Sequence, residues 1–257
     1  MITRHRNRPY KHLAEFYDCI IAPSVFSAIQ ESARQAVMGS ILPRVQSACD
    51  LACGSGTTAV SMAKSGIRTF AVDNSPKMCG LAREKARRAG LAIQVLKADM
   101  RNFHLPEQVD LVLCEGDAIN HLDSKAELTR VAKCVERALR PEGWFYLDVN
   151  NRAGFRSYWK GTWWTEKPGL VMVTRNVNDA FNDRAWCDIE WFIHSGRGHW
   201  QRRHEHVEEV CWNAKEMRTI FKSAGFDQVR AWDASPYFKQ PLITPGCRTL
   251  YLARKAS

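Results

Sequence analysis

Asp50, Asp73 and Asp99 each stand at the end of a short apolar run, and the turn Gly54-Ser55-Gly56 follows the first of them. Glycines at a strand-to-helix turn let backbone N–H groups and a helix N-terminus approach a ligand closely. Asp73 comes seventeen residues after Gly56, where a carboxylate can accept hydrogen bonds from both hydroxyls of a ribose. Asp99 is placed to accept from an exocyclic amine. Any one of these acids also reads as a helix cap or turn former. Three on consecutive strand ends point to a binding cleft. The turn lacks the third glycine of G-x-G-x-x-G and the lysine of a phosphate-binding P-loop, so neither of those sites is expected.

The elements that must position these residues are readable. "RVQSACDLAC", "IRTFAVDN", "AIQVLKAD" and "VDLVLCEG" are short apolar runs ending in acids, as buried parallel strands would be, and "GWFYLDVN" makes a fifth. Ser75-Pro76 predicts a helix start and Gly90 its end. Ser124 and Glu127 form a capping-box pattern, followed by Leu128, Val131, Ala132, Val135 and Leu139 at helical spacing. After Asn150 the texture changes. "GLVMVTRNV", "RAWCDIEWFIHS" and "HWQRRHEHVEEVCW" alternate like antiparallel strands, with Asn182-Asp183 and Gly196-Arg197-Gly198 as turns. Asn213 and Glu216 open another helix, and "FDQVRAW" and "RTLYLARK" close the chain. The expectation is a doubly wound, mostly parallel seven-stranded α/β sheet, with residues 1–150 and 212–257 as one domain and 151–211 as an inserted antiparallel β lid. Ligands of such sheets sit beyond the C-terminal strand ends, where the three acids fall.

Bulk properties narrow the function. The 257 residues, 45% hydrophobic, can bury a sizeable core, and no apolar run reaches the ~20 residues of a membrane span. The basic N-terminus is not followed by the apolar stretch of a signal peptide. Nine scattered cysteines without a C-x-x-C pair suggest a reduced, cytoplasmic protein with neither a disulfide framework nor a zinc site. The net charge of +10 raises the question of nucleic acid. It concentrates in Arg4, Arg6, Arg8 and Lys11 and along one helix at Lys77, Arg83, Lys85, Arg87 and Arg88. A solvated helix face plus a loose arm accounts for that pattern, which argues against a nucleic-acid partner.

"DLACGSG", "AVDNSPKM" and "KADM" resemble, in order, the first three motifs of the Rossmann-like S-adenosylmethionine-dependent methyltransferases. The resemblance covers about residues 45–150. It implies S-adenosylmethionine as cofactor and S-adenosylhomocysteine as product. Ala52, Cys53, Gly54 and Gly56 would surround the methionyl part and Asp73 would bind the ribose. Asn74 and Met78 would line the adenine, with Asp99 and the backbone of Met100 at its edge. Asp50 would position the turn or the methionyl amine through water. Cys114 and Glu115, opening the segment after the fourth strand, complete the set.

That segment, "CEGDAINHL", departs from the N/D-P-P-Y/F motif of enzymes that methylate nucleobase amino groups or glutamine amides. It is similar to the C-x-G-N-S-x-x-H-L of glycine and sarcosine N-methyltransferases and to the histidine-bearing segment of amino-sugar N-methyltransferases. The resemblance implies that His121 accepts the proton or orients the acceptor. Asp117 stands where the glycine enzymes have asparagine, so their substrate contacts do not carry over intact. "LAEFYDCI" resembles the segment that closes over the cofactor in these families, which makes Tyr17 a candidate catalytic residue. Asn150, Asn151 and Arg152 could also meet the acceptor. His204 and His206 share a strand face, but no matched ligand spacing makes them a metal site. The expectation is methyl transfer to a small molecule, with an amine nitrogen favoured. O-methylation of a phenol or acid, and RNA modification, are the alternatives. Strands of the insertion could pair between subunits of a homo-oligomer.

Overall fold

The computed structural model describes residues 13–20, 23–237 and 244–257. Arg4, Arg6, Arg8 and Lys11 of the basic arm lie outside the described residues. Two helices, α1 (Leu13–Ile20) and α2 (Pro23–Met38), precede the alternation β1 (Ser47–Leu51), α3 (Thr57–Lys64), β2 (Arg68–Asp73), α4 (Pro76–Arg88), β3 (Gln94–Lys97), β4 (Val109–Cys114), α5 (Lys125–Ala138) and β5 (Leu139–Asn150). A short helix, α6 (Arg152–Tyr158), leads to β6 (Gly161–Lys167), β7 (Leu170–Asp179), β8 (Arg184–His194) and β9 (Trp200–Val210). The chain ends with α7 (Ala214–Ser223), β10 (Phe226–Asp233) and β11 (Arg248–Lys255).

Helix starts follow the sequence signals. Ser75 and Ser124 accept from the backbone N–H groups of Met78 and Glu127, and Asn213 accepts from that of Glu216. Glu127 reaches back to the N–H of Asp123, one residue earlier than a capping box requires. The α5 periodicity runs one residue too far: Leu139 begins β5, buried there as it would have been on the helix.

Seven strands form one sheet in the order β10-β11-β5-β4-β1-β2-β3. The five from β5 to β3 are parallel, and β11 and β10 run antiparallel beside β5. Helices cover both faces. Leu128, Val131, Phe145 and Phe221 lie in one core, and Ala33, Met38, Met62, Leu113 and Tyr146 in the other. Phe145 and Tyr146, adjacent on β5, point to opposite faces, as strand geometry demands. The chain turns to opposite sides of the sheet after β1, so a cleft opens between the ends of β1 and β4.

A second sheet, β6-β7-β8-β9, is an antiparallel meander. Its turns use left-handed residues Asp183, Gly196, Arg197 and Gly198, at the positions the sequence indicates. β6 was not expected: "GTWWTEK" is an exposed edge strand with no apolar alternation to mark it. One face of this sheet buries Leu170, Cys187, Ile189, Trp191 and Val207 and receives Phe16 and Ile20 of α1. The rings of Phe16 and Trp191 stack with centroids 5.6 Å apart.

Candidate active site

The two glycines of the turn are required for different reasons. Gly56 has φ +81°, and a Cβ there would lie 2.8 Å from the Cβ of Ala82 on α4. Its missing side chain admits a helix. Gly54, at φ +52°, would place a Cβ where nothing lies within 4 Å, so its face of the turn is open. Ala52 also takes a left-handed conformation, φ +58°, a strain that packed surroundings must impose.

The acids fasten this turn. Asp73 accepts from the N–H of Gly54 at 2.9 Å and from that of Ser75 at 2.8 Å, using one oxygen for each. Burial nevertheless raises its pKa. The Asn74 N–H also faces this carboxylate, which retains acceptor capacity for a ribose hydroxyl. Asp50 accepts from the N–H of Ala59 in the first turn of α3 at 2.9 Å. Burial and then the charge of Glu115 lift its carboxyl to about 8. Cys53 donates its N–H to Val72 at 3.0 Å, and Cys53, Cys114 and Met78 are buried, whereas Asn74 is exposed. Burial pushes the thiols of Cys53 and Cys114 well up, so both lack nucleophilic character.

Asp99 differs from the sequence expectation of a carboxylate awaiting an amine. Arg101 clamps it through Nε at 2.9 Å and Nη2 at 2.5 Å, and the Arg101 backbone N–H adds a third bond. The guanidinium holds Asp99 below the usual carboxylate range. Oδ1 is filled and Oδ2 retains room for one donor. Met100 beside it is half-buried against the core.

Glu115 is held by Nη1 of Arg34, at 2.8 and 2.6 Å to its two oxygens, and by Thr58 Oγ1 at 2.7 Å. Arg34 and Gln30 of α2 are buried, and no spacing or motif in the chain singles them out. Among the described residues, Nε and Nη2 of Arg34 and both amide atoms of Gln30 have no hydrogen-bond partner. Buried donors without partners are costly, so a ligand or water completes them. Unmet cationic donors beside the carboxyl groups of Asp50 and Glu115 suit the carboxylate and ammonium of an amino-acid moiety. With Asp73 on the ribose side, these residues fit S-adenosylmethionine.

α1 clasps the turn. Asp18 accepts from Ser55 Oγ at 2.6 Å and pairs with Lys85 at 2.9 Å, and Lys85 also donates to Ser55 and Thr57 at 2.8 Å each. Tyr17 is one residue away. Burial, and then Asp117, Asp18, Asp73 and Asp50, raise its phenol far above its ordinary value. The resemblance made Tyr17 a candidate catalytic residue. In this field it stays a phenol, an O–H donor.

The acceptor side is built from four distant segments. His121 ends a short helical turn, Ala118–His121, after β4, and its Nδ1 lies 3.3 Å from the carbonyl oxygen of Glu208 on β9. A carbonyl only accepts, so Nδ1 carries the hydrogen and Nε2 is the basic nitrogen. Burial lowers the pKa of this imidazole, with Asp117 and Asp123 pulling the other way. Close by, Arg248 of β11 pairs with buried Asp148 and lies 3.2 Å from Asp117. Asp148 accepts from the N–H groups of Gly116 and Asp117. Asn150 accepts from Arg248 at 3.0 Å and donates to both Asp117 and Glu209. Asp117 holds this place in a left-handed conformation, φ +53°. Sequence reading missed Asp148, Glu209 and Arg248; only Asp148, an acid inside an apolar strand, carried a signal. Asn151 and Arg152 have other roles. Asn151 caps α6, and Arg152 pairs with Asp183 at 2.5 Å on the surface. His204 and His206 both face Asp188, at 3.4 and 2.8 Å. All nine cysteines are free thiols. Among the described residues no helix is long and apolar enough to cross a membrane.

Residues 48–143 match the family described as "Methyltransferase domain". The Bacillus subtilis protein YqeM, named as a methyltransferase, is 25% identical over 72% of this chain and 75% of its own. An S-adenosylmethionine-dependent methyltransferase from Clostridium acetobutylicum superposes with a TM-score of 0.78 at 21% identity, covering 96% of this chain and 99% of that one. The sugar N-methyltransferase KedS8 from Streptoalloteichus gives 0.73 at 18% identity, covering 98% and 94%. At these identities the structural matches speak to the fold.

Proposed function

We propose that this S-adenosylmethionine-dependent methyltransferase methylates an amine nitrogen of a small molecule, in a cleft between the ends of β1, β4 and β5 and the inserted sheet. The observation that carries the reading is a charge imbalance: Asp117, Asp148 and Glu209 gather around the single guanidinium of Arg248 beside His121. Such a pocket favours a cation, and an ammonium is what a basic amine presents at neutral pH. The sugar N-methyltransferase among the structural matches agrees with this choice.

The cofactor, when bound, supplies an electrophilic methyl group on a sulfonium. The rest is the work of the chain. Gly54, Asp73, Asp50, Glu115 and Arg34 hold and orient the cofactor, with Ala52, Cys53, Asn74, Met78, Asp99, Met100 and Cys114 around it. Residues 151–211 act as a lid that excludes water, and Tyr17 donates a hydrogen bond into the cleft. His121, neutral through burial, takes the acceptor's proton at Nε2, which frees the nitrogen lone pair.

An RNA acceptor draws little support from the charge pattern. Arg87 and Arg88 both pair with Glu84, and they end a helix whose start, ~18 Å away, faces the cleft. The test is transfer of label from methyl-labelled cofactor to panels of small amines, phenols and bulk RNA. Label on amines is expected. Label confined to phenols or RNA would overturn the reading.

A further inference from the structure

Glu209 is a lid residue buried against the parallel-sheet domain. Its Oε2 lies 3.3 Å from Nδ2 of Asn150, and that same nitrogen donates to Oδ2 of Asp117. One amide therefore draws two carboxyl groups together, one from the turn after β4 and one from β9. Among the described residues the Glu209 carboxyl has no other hydrogen-bond partner. The charged groups facing it are Asp117, Arg248 of β11 and Asp148 of β5. Arg248 is already committed to Asp148 and Asp117. One guanidinium thus faces three carboxyl groups, and among the described residues Glu209 is the one that it does not pair with directly.

We propose that Glu209 selects the acceptor: it faces Asp117 as a carboxyl pair bridged by Asn150, and the acceptor's ammonium takes the place of the Glu209 proton. With one guanidinium shared among three buried acids, the last of them stays protonated until a further cation joins it. Burial and the charge of Asp117 both act to keep Glu209 protonated while the site is empty. The balance is simple. The pair with its proton carries one negative charge; when an alkylammonium ion binds, one O–H bond ionises and the proton leaves to solvent. The bound cation then faces two carboxylates, with its own proton still to be lost to His121. A neutral alcohol or phenol offers no charge to displace the proton. Because Glu209 rides on β9, this discrimination is available only when the lid is seated. The inference rests on the amine reading above and adds to it the residue that enforces it.

The experiment uses the full chain and infrared difference spectra at neutral pH, reading the C=O stretch of protonated carboxyl groups. Asp50 contributes equally to wild type and Glu209→Gln and cancels. The wild type should show extra carboxylic-acid absorbance over Glu209→Gln. That absorbance should fall on titration with ethylammonium chloride, but not with sodium chloride at equal ionic strength. One proton should be released per ethylammonium bound in weakly buffered solution. With an amine acceptor from the panel, Glu209→Gln should raise KM about 10–100-fold, the range for a lost hydrogen bond to a charged group, with a smaller change in kcat. Identical spectra for the two proteins, or a band that ethylammonium leaves unchanged, would overturn the proposal. The two readings fail separately. Methylated amines without a Glu209 band sink the carboxyl pair alone. An ethylammonium-sensitive Glu209 band with no methylated amine sinks the amine reading alone.

Discussion

His121 and Asp73 divide the work of the site, and their variants should separate cleanly. His121→Ala leaves the turn and its acids intact, so affinity for S-adenosylhomocysteine should stay near wild type. Methyl transfer at neutral pH should slow by ~10²–10⁴-fold, the range for a positioned acid–base group. Burial keeps the imidazole neutral below its ordinary 6.5, so the wild-type rate should fall on the acid side only beneath that value. Part of the variant's loss should return at high pH, where the amine is already neutral. A pH–rate profile of both proteins decides, and a variant at full rate throughout would leave His121 no part in the chemistry. Asp73→Ala should weaken cofactor binding by about 1.5–3 kcal/mol in calorimetry. It should also lower the melting temperature, because Asp73 holds the N–H groups of Gly54 and Ser75 as well. Unchanged affinity would remove Asp73 from the site.

Among the elements, the glycine turn and α4 are locked by a missing atom. Gly56→Ala would drive a Cβ into Ala82 at 2.8 Å and keep a side chain at φ +81°. Overpacking of this kind costs about 1–3 kcal/mol, with roughly 1–2 more for the left-handed backbone. Adding Ala82→Gly should recover only part of the steric loss, since the Cα of residue 82 also lies 3.0 Å from the new Cβ, and thermal melts of the single and double variants would show that partial coupling. Equal melting temperatures for Gly56→Ala and wild type would refute the packing account. α1 joins the turn, through Asp18, to the inserted sheet, through Phe16 and Ile20. Ligands in the cleft should therefore slow amide exchange in β8 and β9, and Phe16→Ala should weaken that protection without abolishing cofactor binding. Exchange in residues 151–211 that ignores both cofactor product and acceptor would contradict a lid.

For the molecule as a whole, buried acids make stability depend on pH in a direction that can be stated. Asp50 ionises at 3.8 when unfolded and at about 8 in the folded chain, so between these values the folded state holds a proton that the unfolded state lacks. Its contribution is present below 3.8 and is lost as pH rises toward 8. Asp50→Asn escapes this loss, so its melting temperature relative to wild type should climb from mildly acidic to mildly alkaline pH; a flat difference would place the Asp50 pKa in its ordinary range. The same burial marks the boundary of what one dimension could reveal. Local features were set by the sequence: the strand and helix order, the caps at Ser75, Ser124 and Asn213, and the acids with the open glycine at successive strand ends. Each depends on periodicity or on hydrogen bonds spanning a few residues. Even at short range the Asp99–Arg101 clamp went unread, because two residues' separation does not say which way their side chains turn. Tertiary structure alone decided that β6 is a strand, that Gly56 yields to Ala82, and that Arg34 meets Glu115 across 81 positions. It alone brought Asp117, Asp148, Glu209 and Arg248 into one buried cluster. Those meetings follow from strand order and from which faces pack. The energy that enforces them, apolar burial and the desolvation of charge, belongs to the assembled core and to no local stretch of chain.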